Sequence, residues 1–308
     1  MDAKGGEQGA LTQLASGDIG GLSADPTRVG RVVISETHRE SEIVRAEIRA
    51  DGNVGPVEVV PAASSTKSEI YPAISPDGQR LAFVSDRSGL AQVWVTDGNG
   101  AKQVTNIGVR AAAPRWSPDG QSLVCAVVEG KGRWITVVPL NGGAPRRLHD
   151  EARPSWSADG RWIYFTKTVA DRAEIWKIAV TGGAAERVTE NGGHEGVESP
   201  DGKSLFYLKG PQNRELVRKE TGRAEEQIAA ISGEGTWAVT RSTVWFFAPG
   251  RERTLLAYSL RDRRVREVGR VPGMKVGLGF SASLDDRWLF GFSRAAAAAD
   301  LQLLEEQR

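Results

Sequence analysis

The chain has 308 residues, 40% of them hydrophobic and 26% charged, with a net charge of +1 at neutral pH. This suits a soluble globular protein with a sizeable core, and it supplies no overall field to draw in nucleic acid or an anionic membrane surface. Cys125 is the single cysteine and excludes an internal disulfide; no apolar run reaches the roughly 18 residues of a membrane span, and residues 1–10 hold no basic-then-apolar leader.

Taken in chain order, the first strand-like segment is Ala10-Leu11-Thr12-Gln13-Leu14, in a stretch from 10 to 15. A first four-stranded unit is read over 17–61, from Gly21-Leu22-Ser23-Ala24-Asp25 and Arg31-Val32-Val33-Ile34-Ser35, with outer strands around 42–48 and 57–60. Four units follow at 68–106, 111–149, 152–190 and 195–229. Each carries a Ser-Pro-Asp-Gly turn or a close variant at Ser75–Gly78, Ser117–Gly120, Ser157–Gly160 and Ser199–Gly202. The turn aspartates Asp77, Asp119, Asp159 and Asp201 lie 42, 40 and 42 residues apart, the period of a propeller blade of roughly 40–45 residues. Proline presets φ at the turn, aspartate accepts backbone N–H groups, and glycine takes the left-handed position. Weaker units are read at 234–269 (Trp237-Ala238-Val239, then Val244-Trp245-Phe246-Phe247) and 276–304 (Phe280-Ser281, then Trp288-Leu289-Phe290).

Strands such as Trp162-Ile163-Tyr164-Phe165 are apolar on both faces, as a sheet covered on both sides requires. Segments such as Glu186-Arg187-Val188-Thr189 alternate charged and aliphatic residues, like an outer edge in contact with water. Seven units at about 44 residues each fill the chain, so the expected architecture is all-β: a single domain, 1–308, forming a seven-bladed β-propeller of four-stranded antiparallel blades. The last unit lacks a fourth strand, and residues 10–15 are expected to supply it and close the ring.

The repeats, Pro114-Arg115-Trp116-Ser117-Pro118-Asp119-Gly120 above all, resemble the PD40, WD40-like TolB-type propeller repeat. The blade order is similar to propellers at the C-terminus of bacterial membrane-anchored regulators. The resemblance implies a sensory or interaction role and a periplasmic setting; it transfers no catalytic residue and implies no cofactor.

Other motifs read as architecture. His194-Glu195-Gly196-Val197-Glu198 approaches a zinc-protease pattern, but it lies in a Gly-rich connection and lacks the helix that would put two ligands on one face. Gly202-Lys203-Ser204 belongs to the repeat's own turn. No Gly-x-Ser-x-Gly elbow exists, and His38, His149 and His194 fall in different units. The arginine-rich stretch 251–270 reads as a solvated outer hairpin, Trp94, Trp116, Trp134, Trp156 and Trp176 as core, and Ala295–Ala299 as a loop between two strands of the last unit. The chain is therefore read as a non-enzymatic, metal-free monomer whose ligand site sits at the axial mouth where fourth-to-first-strand loops gather. That site offers Glu69, Tyr71, Arg110, Arg153, His194 and Glu195 to a protein or peptide partner or to a small polar ligand. Nucleic-acid binding and membrane insertion are not expected. The competing reading is a propeller hydrolase or lyase with its active site in the central funnel.

Overall fold

One side-chain pattern recurs at the first hairpin of four blades. Ser117 Oγ donates to Asp119 Oδ1, Asp119 Oδ1 accepts the Gln121 N–H at 2.9 Å, and Ser117 Oγ accepts the Ser122 N–H at 2.9 Å. Gly120 follows at φ +67. The same set forms at Ser75/Asp77, Ser157/Asp159 and Ser199/Asp201. Ser283/Asp285 repeats it in another blade, with Asp286 (φ 60) where the others have glycine. The motif satisfies turn amides that a bare hairpin would leave unpaired, so it starts these five blades in a fixed register.

The computed structural model describes residues 18–24, 31–38, 41–250, 254–294 and 298–305. It divides into two compact units, one comprising Glu42–Ser293 and the other Met1–Ser41 with Arg294–Arg308. The larger unit is a propeller of six four-stranded antiparallel blades. Blade I runs through Glu69–Ile74, Leu81–Ser85, Gln92–Thr96 and Ala101–Gln103. Blades II to V begin with the inner strands Arg110–Trp116, Ala152–Trp156, His194–Glu198 and Trp237–Val239. Blade VI is composite: Ser281–Ala282 and Trp288–Arg294 supply its inner strands, Ser41–Ile48 and Val54–Val59 its outer ones.

The expectation of seven blades is thus corrected to six. The segment read as a first blade is divided between two sheets. Its strands 41–48 and 54–59 complete blade VI, while Asp18–Ala24 and Arg31–His38 form a separate three-stranded antiparallel sheet with Ala298–Glu305. The closing strand comes from 41–59; the proposed one at 10–15 lies outside the described residues. Ala298 and Ala299, read as loop, begin the strand Ala298–Glu305. The closure is held by side chains as well as backbone: Ile48 N–H donates to Arg287 O at 2.8 Å, Arg287 Nε meets Glu47 Oε1 at 3.1 Å, and the Arg45 guanidinium lies 4.5 Å over Trp288.

Six apolar clusters account for six blades. Each lies chiefly between two neighbours, because alternate residues of a central strand face opposite sides. Val124 packs with Ile163 and Phe165 of blade III, while Leu123 and Cys125 pack with Val84 and Val93 of blade I. Phe206 faces Val244 and Phe246, whereas Tyr207 faces Tyr164 and Ile175. The circle closes where Ile43 and Phe290 of blade VI pack on Leu81 and Phe83 of blade I, and where Leu289 packs on Trp245 and Phe247 of blade V.

Candidate functional site: an axial funnel above a ring of bulges

The inner strand of every blade carries, or is preceded by, a residue with positive φ at one equivalent place: Tyr71 (55), Ala113 (49), Arg153 (59), Glu195 (53), Gly235 (65) and Gly279 (93). In blades I to IV it coincides with a slip in pairing register against the second strand, the mark of a β-bulge. Four of the six are not glycine, a conformation that costs about 1–3 kcal/mol each and persists only where the surroundings impose it. Here neighbouring inner strands touch. Tyr71 N–H donates to Leu278 O at 2.8 Å, Gly277 N–H to Gly235 O at 3.1 Å, and Ser155 Oγ donates to Gly196 O. A Cβ on Gly279 would stand 2.6 Å from Tyr71 Cα. The result is a constricted waist on the axis with a cavity of about 20 Å³, lined by Tyr71, Arg115, Arg153 and Glu195 among others.

Beyond the waist, toward the Ser-Pro-Asp-Gly turns, the axis widens into a funnel of about 380 Å³. Its rim is the residue after the turn serine or threonine of each blade: Pro76, Pro118, Ala158, Pro200, Arg241 and Leu284. Trp116, Trp156, Trp237 and Phe280 form much of the wall. All three of these indoles bind neighbouring blades together, Trp116 Nε1–H donating to Ala73 O at 2.7 Å, Trp156 Nε1–H to Arg115 O at 3.1 Å and Trp237 Nε1–H to Glu195 Oε2 at 3.1 Å.

The charged groups of the funnel differ in how fully they are engaged. Glu195 Oε2 accepts the Gly235 N–H at 3.0 Å and Trp237 Nε1–H at 3.1 Å. Glu198 accepts the Ala158 N–H at 2.6 Å on one oxygen and the Tyr164 hydroxyl at 2.9 Å on the other. Arg115 is different. Its Nη1 donates to Pro114 O at 3.2 Å, and its Nη2 lies 4.0 Å from Glu195 Oε1, beyond hydrogen-bonding reach. Burial lowers the Arg115 pKa, Glu195 opposes that shift, and Arg153 reinforces it; an arginine nonetheless keeps its charge at any working pH.

On the opposite side of the waist, Glu234 is paired with Arg153 and accepts Asn213 Nδ2–H at 2.8 Å, and His194 Nε2 lies 3.3 Å from it. Desolvation lowers the His194 pKa against the opposing pull of Glu234, and its Nδ1 is buried without a hydrogen-bond partner.

The six residues singled out in the sequence therefore separate. Tyr71, Arg153 and Glu195 meet at the waist, with Glu195 reaching the funnel as well; His194 joins Arg153 only through Glu234. Glu69 is fully buried within blade I, accepting from Ser65, Ser85 (2.9 Å) and Arg87 (3.0 Å), with burial pushing its carboxyl up. Arg110 is exposed and lines neither cavity. Sequence reasoning passed over Arg115, Glu198 and Glu234. The signal for Arg115 was present: two places before the turn serine, aligned repeats carry Ala73, Ser155, Val197 and Ser281, and Arg115 alone is charged. Trp156, read as core, is only half-buried and faces the funnel.

Residues 27–272 match the sequence profile of the TolB beta propeller domain. The chain is similar to the Protein TolB homolog of Chlorobium chlorochromatii, 31% identical over 219 residues that cover 68% of this chain and 47% of that protein. It is also similar to a Bacillus subtilis protein named uncharacterized peptidase YuxL, 31% identical over 159 residues, 48% of this chain and 23% of that protein. The chain spans less than two thirds of the curated relatives it matches. The solved structure of a putative TolB from Agrobacterium tumefaciens superposes with a TM-score of 0.65 at 18% identity, over 84% of this chain and 99% of that one. This likeness establishes the fold alone.

Proposed function

The chain belongs to the TolB β-propeller family, and on that premise we propose that it is a non-catalytic interaction or ligand-sensing module that receives a partner segment or a small polar ligand in its axial funnel. One observation carries this reading: an open cavity of about 380 Å³, within the range of specific ligand sites, lined by tryptophans with few convergent charges. The waist supports it from below, since six inner strands in mutual contact hold the funnel walls in place without a ligand. Tyr71, Arg153, His194 and Glu195 serve as the polar base of this channel.

Binding is favoured over hydrolysis by the arrangement of the titratable groups. The funnel brings Arg115, Glu195, Glu198 and, at its rim, Arg241 together without a histidine, and His149 packs against Phe165 at 4.7 Å. The relative named a peptidase shares 23% of its length with this chain, so its name carries no catalytic residue over. We assign the module to a larger bacterial envelope or regulatory protein, acting outside the cytoplasm. The test is a peptide-display and metabolite-panel selection on the folded chain, repeated with the rim-blocking variant Ala158→Trp. Binders lost in the variant support the funnel site; binders retained in full place the site elsewhere.

A further inference from the structure

Resting on the funnel as the binding site, a closer inference concerns what chemistry it accepts. Both acids in the funnel use oxygens on protein donors: Glu198 on two groups, Glu195 on two N–H groups through one oxygen. Arg115 presents five N–H donors, of which one is in a hydrogen bond. Its side chain retains 27% exposure at the deep end of the funnel, where Arg153 adds positive potential through the waist. A guanidinium with unengaged donors in a desolvated recess favours a planar anion bound through two parallel N–H···O bonds. The surrounding wall is mostly aromatic and apolar, with Trp156, Trp237, Phe280 and the prolines of the rim, and Arg241 stands at the rim as a second guanidinium.

We propose that Arg115 is a carboxylate anchor, and that the funnel takes ligands whose carboxylate end pairs with this guanidinium while an apolar or aromatic body lies against Trp156 and Phe280. Two sources share that chemistry, the C-terminus of a peptide and a free organic acid.

Calorimetric titration of the folded chain separates them, using N-acetyl-leucyl-phenylalanine and 3-phenylpropionate, each beside its neutral amide. Both acids are expected to bind about 10- to 100-fold more tightly than their amides, the range for a charge-assisted hydrogen bond lost from a desolvated site. Arg115→Gln removes that preference, Arg115→Lys keeps part of it, and Trp156→Ala weakens acid and amide alike. Tighter binding of the dipeptide marks a peptide terminus as the natural ligand, tighter binding of phenylpropionate a free acid. Equal affinity of acid and amide, or binding of neither, overturns the anchor. Should Arg115→Gln fail to fold by circular dichroism, the comparison of acid with amide on the unaltered chain decides alone. A display-selected binder that Ala158→Trp abolishes, without any carboxylate preference, sinks the anchor and leaves the funnel reading standing.

Discussion

Replacing Gly279 by alanine tests the waist directly. Gly279 sits at φ +93, and a Cβ there would lie 2.6 Å from Tyr71 Cα and 3.2 Å from Tyr71 C, contacts with backbone that no side-chain rotation relieves. Tyr71 is itself tied to the preceding residue through its N–H bond to Leu278 O. Two terms add. The positive φ costs alanine about 1 kcal/mol, and inserting a methyl into a packed site costs about 1–3 kcal/mol more. Gly78, at φ +73 with nothing within 4 Å of its would-be Cβ, has the first term without the second. Urea unfolding followed by tryptophan fluorescence should therefore show Gly279→Ala destabilised by about 2–4 kcal/mol and Gly78→Ala by about 1 kcal/mol, at unchanged slope. Equal midpoints for the two variants would refute the close approach of blades VI and I at the axis.

Two further outcomes are expected. Ile43→Ala should cost about 2–5 kcal/mol, because Ile43 is fully buried against Phe83 and Phe290 at the closure; a midpoint within about 0.5 kcal/mol of the parent would remove 41–48 from the last blade. The turn aspartates Asp77, Asp119, Asp159, Asp201 and Asp285 are all held below the usual 3.8, chiefly by the serine hydroxyl each accepts, with Asp159 at about 2. A depressed pKa stabilises the fold above the unfolded value and loses that contribution as pH falls toward the folded one. Melting temperature should drop between about pH 4 and pH 2, and Asp159→Asn should lie below the parent at pH 6 and converge with it near pH 2; a constant gap between the two curves would contradict the assignment.

Repeat period, turn chemistry and two-sided apolar strands were legible along the chain because each is a local property. Ser117, Asp119 and Gly120 state the hairpin within four residues, and Leu123–Val127 states a strand covered on both faces. The number of blades was not legible. Ile43 and Val44 face opposite sides of their sheet whether their hydrogen-bonded neighbour is the preceding hairpin or Trp288–Arg294 at the far end of the chain. Dividing chain length by blade length also counted Asp18–Ala24, Arg31–His38 and Ala298–Glu305 as propeller when they pair with one another.

The candidate site divides along the same line. Glu69 and Arg110 stood at the right repeat position for an axial mouth, yet Glu69 turned into its own blade and Arg110 toward solvent. Whether a side chain near the axis faces the channel depends on the bulge at Tyr71, Ala113, Arg153 and Glu195, which shifts the alternation of the inner strand by one place. Such a bulge arises from neighbouring blades pressing together, and strand periodicity carries no trace of it. Sequence alone determined the repeated sheet and its turns, since those follow from contacts a few residues apart. Tertiary structure decided how many sheets share the axis, which strands close the ring and that Arg115 faces the funnel, because those follow from surfaces that meet only when distant segments pack.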